Sequence, residues 1–248
     1  MNTPNRSRPV TIVTGGSRGI GAAICERLAG EGHAVVINYA GSHQQAQALV
    51  ARLVEHGGEA IAVQGDVADP AAVQRLFDAA QERFGGIDVL VNNAGVMTLA
   101  PVVAFADDDF DRQIAINLKG SFNAMREAAR RLREGGRIVN FSSSVIGLRL
   151  EQYGAYSATK AAVEALTSVL SRELRGRSIT VNAVAPGPTA TALFLDGKPQ
   201  EVVDRMAKMN PLERLGTPED IAAVVSFLVG PQGGWVNGQV LRANGGMV

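Results

Sequence analysis

Apolar residues in this chain fall in short continuous runs, separated by longer stretches of helical periodicity. Val10–Val13, Ala34–Ile37, Ala60–Val63, Val89–Val91, Ile138–Phe141, Thr180–Val184 and Val240–Leu241 predict strands. A strand that is apolar at consecutive positions is covered on both faces, which calls for a parallel sheet with crossover helices. The stretches near 20–30, 43–56, 70–84, 109–133, 156–175 and 218–229 predict those helices. Two of them announce their starts: Asp69-Pro70 and Thr217-Pro218 each set a capping side chain before a proline at the first helical position. The alternation predicts a doubly wound α/β fold of about seven parallel strands with helices on both faces. No compositional break marks a second unit, so residues 9–248 are expected to form one domain after a disordered lead-in over 1–8. The irregular stretch 188–212, with Pro188, Gly197, Pro199 and Pro211, predicts a functional insertion acting as a substrate lid.

Composition narrows the function classes. Of the 248 residues 46% are hydrophobic and 19% charged, enough apolar material for a sizeable core. Lys plus Arg (24) balance Asp plus Glu (24), and no dense basic cluster appears, which argues against a nucleic-acid partner. The arginines between Arg126 and Arg133 read as the solvated face of a helix. No apolar stretch approaches the roughly 18 residues of a membrane span. The first residues lack a signal core, and a single cysteine, Cys25, leaves no internal disulfide; a cytoplasmic protein is expected. His33, His43 and His56 lack ligand spacing, so no metal site is expected.

Two local patterns carry chemistry. Thr14-Gly15-Gly16-Ser17-Arg18-Gly19-Ile20-Gly21 follows a predicted strand and opens a predicted helix. In that context glycines permit close backbone approach, and the helix N-terminus offers N–H groups to a pyrophosphate. The following strand ends Ile37-Asn38-Tyr39-Ala40-Gly41-Ser42, with no acid before Glu55 to take a ribose 2′-hydroxyl. Arg18 can compensate a 2′-phosphate, and Asn38 and Ser42 can donate hydrogen bonds, so NADP is favoured over NAD. The second pattern is Tyr156 and Lys160, four residues apart on a predicted helix and hence on one face. An ammonium beside a phenol favours the phenolate and brings a tyrosine toward acid–base work near neutrality.

Taken together these segments are similar to the classical short-chain dehydrogenase/reductase family, along nearly the whole chain. The resemblance rests on Thr14–Gly21, Gly65-Asp66-Val67, Asn92-Asn93-Ala94-Gly95, Asn117, Ser142–Ser144, Tyr156-Ser-Ala-Thr-Lys160 and Pro186-Gly187-Pro-Thr-Ala-Thr191. It implies a Rossmann-like fold and hydride transfer between NADP(H) and a ketone or secondary alcohol. Tyr156 would then be the general acid/base, Lys160 would lower its pKa and hold the nicotinamide ribose, and Asn117 would hold a water behind Lys160. The serine is Ser143 by its separation from Tyr156 and from Asn140, or Ser144 by the Val145-Ile146-Gly147 that follows it. The implied cofactor contacts are Gly15, Ser17, Arg18, Gly19, Ile20, Gly21, Asn38, Tyr39, Ala40, Ser42, Asp66, Val67, Asn93, Ala94, Gly95, Pro186, Gly187, Thr189 and Thr191, with Tyr156 and Lys160.

The pattern is most similar to 3-oxoacyl-carrier-protein reductases; sugar and steroid dehydrogenases share every motif. Ala192, Leu193, Phe194, Leu195 and Met206 would give the lid an apolar lining. A non-catalytic NADP-sensing protein is the alternative from another class, and it would be expected to lack Tyr156 or Lys160. The resemblance also implies a homotetramer, or a dimer, assembled through the helices near 109–133 and 156–175 and the C-terminal strand region.

Overall fold

All seven predicted strands form, each extending past its apolar run. They are β1 (Val10–Thr14), β2 (Ala34–Tyr39), β3 (Glu59–Gln64), β4 (Val89–Asn92), β5 (Arg137–Phe141), β6 (Thr180–Pro186) and β7 (Val240–Ala243). The structure is a computed structural model and describes residues 8–248. The expected lead-in over 1–8 thus lies, Arg8 excepted, outside the described residues. The strands make one parallel sheet in the order β3-β2-β1-β4-β5-β6-β7.

Alternate residues of each strand serve opposite faces of the sheet. Val13, Val35, Ile37, Val91 and Val139 pack under α1 (Gly19–Gly30), α2 (His43–Glu55) and, later in the chain, the Pro218–Val229 helix. Ile12, Val36, Leu90, Ile138 and Val181 face α3 (Pro70–Phe84) and the Ser121–Arg131 helix. Cys25, fully buried, belongs to the first layer. Both predicted helix starts hold: the Asp69 carboxylate accepts from Ala71 N at 2.9 Å, and Thr217 and Asp220 complete a reciprocal capping box.

One long element departs from expectation. The helix predicted over 109–133 is three segments: α4 (Asp107–Gln113), a π-helical stretch over Ile114–Gly120, and α5 (Ser121–Arg131). Apolar periodicity does not distinguish i→i+4 from i→i+5 bonding, so the widening has no signal in the sequence pattern. It carries Asn117, and such bulges concentrate at functional sites. The remaining helices are α6 (Val145–Leu148), α7 (Gly154–Glu173), α8 (Ala192–Leu195), α9 (Gln200–Ala207) and α10 (Pro218–Val229). The stretch expected to be an irregular insertion thus contains two short helices, α8 and α9.

Candidate active site

Strand order reverses at β1, which pairs β2 on one side and β4 on the other. The crevice outside the carboxyl ends of such strands is where a doubly wound sheet binds ligands. Here it is a cleft of about 1330 Å³, lined by the glycine turn, the end of β2, Asp66–Val67, Asn93–Gly95 and Thr191. Gly15 has φ +61°, and a Cβ there would sit 2.9 Å from Ala94 Cα. A Cβ on Gly21 would lie 2.3 Å from the Gly15 carbonyl oxygen. No side chain caps α1, so its first-turn N–H groups stay available. The Asn93 amide clamps the turn by donating to Thr14 O and Gly15 O, both at 3.0 Å. A backbone cradle that any side chain would fill, opposite uncapped N–H groups, fits a pyrophosphate.

The 2′-phosphate end needs one correction. Asn38 is 2% exposed, and its amide donates to Val63 O (3.3 Å) and Gly65 O (2.9 Å). Both amide protons tie β2 to β3, so Asn38 shapes the pocket and has none left for a phosphate. The Ser42 hydroxyl makes no capping bond to its helix and lines the cleft, without a hydrogen-bond partner among the described residues. The Arg18 guanidinium is exposed at the cleft, without an ion-pair partner among the described residues. Arg112, which sequence reasoning missed, lines the same cleft from α4. Asp66 Oδ1 accepts from Ala68 N at 2.9 Å and keeps its other oxygen at the cleft.

The next cavity along the sheet edge, of about 880 Å³, is lined by Ser143, Tyr156, Lys160, Pro186, Gly187 and Thr189 among others. The end of β5 delivers the three serines and α7 the tyrosine and lysine. Each serine has a different fate. Ser142 Oγ donates to Glu164 Oε1 at 2.5 Å. Ser144 Oγ donates to Ala185 O and accepts from Asn244 Nδ2, both at 2.9 Å. Ser143 Oγ accepts from Val145 N at 3.3 Å and lines the cavity together with Tyr156.

Burial dominates the electrostatics of this group. It pushes the Tyr156 phenol up to about 12, and the neighbouring Ser143 hydroxyl opposes that rise. Burial pulls Lys160 down to about 8. Lys160 Nζ donates to Phe141 O at 2.9 Å and lies over the Tyr156 ring, 5.6 Å from its centroid. While it carries its charge, a cation at that range favours the phenolate and works against the burial that raises the phenol.

Asn117 is committed through its side chain. Fully buried in the π-helical stretch, its Oδ1 accepts from Val96 N (2.8 Å), and its Nδ2 donates to Val96 O (2.9 Å) and Thr159 Oγ1 (3.3 Å). The side chain is spent on splicing the segment after β4 to α7, which leaves it a positioning role.

The cavity walls are apolar. Met97, Leu148 and Leu150 face Leu193, Phe194 and Met206 of the 188–212 stretch. Of the other two predicted lid residues, Ala192 lines the nucleotide cleft, and Leu195 lines neither space. Tyr153, one turn before Tyr156, also lines this cavity. Nothing in its spacing had singled it out.

A Rossmann-like sheet with a glycine cradle at its switch point and a serine–tyrosine–lysine group beside it defines the class of dinucleotide-dependent oxidoreductases. Comparison with known proteins narrows the class. A family model described as Enoyl-(Acyl carrier protein) reductase matches residues 15–248, and the chain belongs to the short-chain dehydrogenase/reductase family. A short-chain type dehydrogenase/reductase of Picea abies is 47% identical over 96% of this chain and 92% of its own. An NADPH-dependent aldehyde reductase-like protein, chloroplastic, of Arabidopsis thaliana is 42% identical over 96% and 94%. Among solved structures, a Burkholderia cenocepacia short chain dehydrogenase in complex with NADP superposes with TM-score 0.92 at 41% identity, covering 98% of this chain and 99% of that one.

Proposed function

We propose that this chain is an NADP(H)-dependent oxidoreductase that reduces a ketone, or oxidises the corresponding secondary alcohol. The observation that carries the reading is the convergence of Ser143, Tyr156 and Lys160 on one apolar-walled cavity beside the nucleotide cleft. NADP is supported by the absence of an acid at the end of β2, by Arg18 and Ser42 at the cleft, and by the NADP-bound and NADPH-dependent relatives.

When bound, the nicotinamide supplies the hydride. The protein does the rest. Ser143 orients and polarises the carbonyl oxygen, and Tyr156 gives that oxygen its proton in reduction or removes it in oxidation. A phenol raised by burial keeps its proton at neutral pH, as an acid in the reductive direction must. Lys160 presents its remaining N–H donors toward the cleft, and Asn117 holds the backbone around it. Pro186, Gly187, Thr189 and Thr191 hold the nicotinamide end of the cofactor. General acid catalysis of this kind is worth about 10²–10⁴ in rate.

The 188–212 stretch acts as the lid of one domain spanning 9–248, with Leu193, Phe194 and Met206 as its apolar lining. That lining favours 3-oxoacyl or similarly apolar ketones over sugars. Phe122 (44% exposed) on α5 and Val169 (53%) on α7 support assembly into a homotetramer through these helices. Among the described residues no helix is long and apolar enough to cross a membrane. A cytoplasmic setting is part of the proposal, on the strength of the buried free thiol of Cys25.

The test is NADPH oxidation on a panel of 3-oxo esters, diketones and aldehydes, with Tyr156→Phe as control. The expected result is turnover that falls at least about 100-fold in the variant. Turnover that persists in Tyr156→Phe removes this mechanism, and silence of the wild type on every carbonyl favours the non-catalytic sensing reading.

A further inference from the structure

The polar side chains of the substrate cavity can be accounted for one by one. Asn93 is spent on the glycine turn, Ser142 on Glu164, and Ser144 on Ala185 and Asn244. Thr189 Oγ1 donates to Gly187 O at 3.0 Å, and Thr191 Oγ1 donates to Thr189 O and accepts from Phe194 N, both at 3.4 Å. Lys160 donates to Phe141 O, and Ser143 Oγ accepts from Val145 N at 3.3 Å. Among the described residues two phenols lining the cavity have no hydrogen-bond partner: Tyr156, which the proposed reaction uses, and Tyr153, which it does not. The Tyr153 hydroxyl has no hydrogen-bond partner there, although the residue is half-buried.

Tyr153 is the N-cap residue of α7, and its backbone carbonyl accepts from Ser157 N at 2.8 Å. Its ring is thereby fixed one turn from Tyr156. The two phenols are near enough for Tyr153 to raise the Tyr156 pKa further, as a lesser contribution after burial. Burial also raises Tyr153 itself, so it is a neutral O–H donor across the working pH range. A hydroxyl that faces an otherwise apolar cavity without a partner costs free energy whenever a ligand displaces its water and leaves it unpaired. A ligand that brings an oxygen to it avoids that cost. A site built this way discriminates against the analogue lacking the oxygen.

We propose that Tyr153 is a specificity-determining residue, and that the substrate is a carbonyl compound carrying a second oxygen within two carbons of the reacting carbon, a dicarbonyl or a hydroxyketone. The reacting oxygen sits between Ser143 and Tyr156, and the second oxygen accepts from Tyr153. The apolar body lies against Met97, Leu193, Phe194 and Met206. This inference rests on the proposed function and adds a substrate class to it.

The experiment compares a 3-oxo ester with an alkanone of matching length, each with wild type, Tyr153→Phe and Tyr156→Phe. In Tyr153→Phe we expect kcat/KM on the 3-oxo ester to fall roughly tenfold, with the alkanone changed less than about twofold and the KM for NADPH unmoved. A wild-type preference for the 3-oxo ester that collapses in Tyr153→Phe is the same result seen from the other side. Equal losses on both substrates would overturn the proposal, because Tyr153 would then merely support Tyr156. No loss on either would overturn it as well. Tyr156→Phe separates the two readings: retained activity there defeats the catalytic assignment whatever Tyr153 does.

Discussion

Two adjoining spaces at the carboxyl edge of the sheet are built on different principles. The nucleotide cleft is made of backbone: a glycine turn, uncapped N–H groups at the start of α1, and an asparagine that clamps the turn. The substrate cavity is made of side chains from separate elements, with Met97 after β4, Leu148 on α6, Tyr153 at the start of α7 and Phe194 on α8. A backbone cradle tolerates few residue types, because an added Cβ meets main-chain atoms that cannot retreat. A side-chain wall tolerates many, because one apolar residue replaces another at small cost. The cleft therefore sets which cofactor class is used, and the cavity is free to change substrates.

The sharpest way to break this contrast is a methyl group on the cleft side. Gly21→Ala places a Cβ 2.3 Å from the Gly15 carbonyl oxygen, and the turn must shift. NADPH binding, followed by its fluorescence, should weaken about 100-fold while far-ultraviolet dichroism stays native. Unchanged binding would show that the turn does not hold the pyrophosphate.

A second prediction concerns the boundary between the two spaces, where Lys160 is 4% exposed. Its ordinary value of 10.5 is pulled down to about 8. Between those values the unfolded chain holds a proton that the folded chain lacks, so stability rises with pH through that window and the burial cost is greatest below it. Measured by denaturant unfolding against Lys160→Met, wild type should gain about 2 kcal/mol between roughly pH 7.5 and 10. A constant difference would mean that the lysine is not desolvated.

The smallest expected effect lies at the open end of the cleft. Arg18→Ala should lower the NADPH to NADH preference roughly five- to tenfold, since exposed charge pairs contribute little in water. The kcat/KM ratio with the two cofactors checks it. An unchanged ratio would turn attention to Arg112, the other cation that lines the cleft.

The same contrast explains what could be read from the chain itself. Sheet strands such as Val89–Asn92 are apolar at consecutive positions, and the glycine turn has fixed spacing, so both were visible. Asn38 and Asn117 were found, but not the partners of their side chains. An exposed and a committed amide look alike in sequence, and only the fold shows that their donors go to β3 and to Val96. The burial of Tyr156 and Lys160 was hidden for a similar reason: helical spacing fixes the face but neither the depth nor the Phe141 carbonyl that the lysine meets. The π-helical stretch and Tyr153 left no pattern at all. The first keeps the helix periodicity nearly intact, and the second is defined only by its neighbours, Tyr156 apart, having found partners.

The central claim is that Ser143 and Tyr156 act on the substrate as one unit. The most direct test is a double-mutant cycle on kcat with Ser143→Ala, Tyr156→Phe and the combination, using whichever carbonyl the wild type turns over fastest. Groups that act as a unit are strongly non-additive. The account predicts a large loss in each single variant, and a double variant within about threefold of Tyr156→Phe alone. Losses that multiply in the double variant would contradict it, because the two hydroxyls would then be working independently.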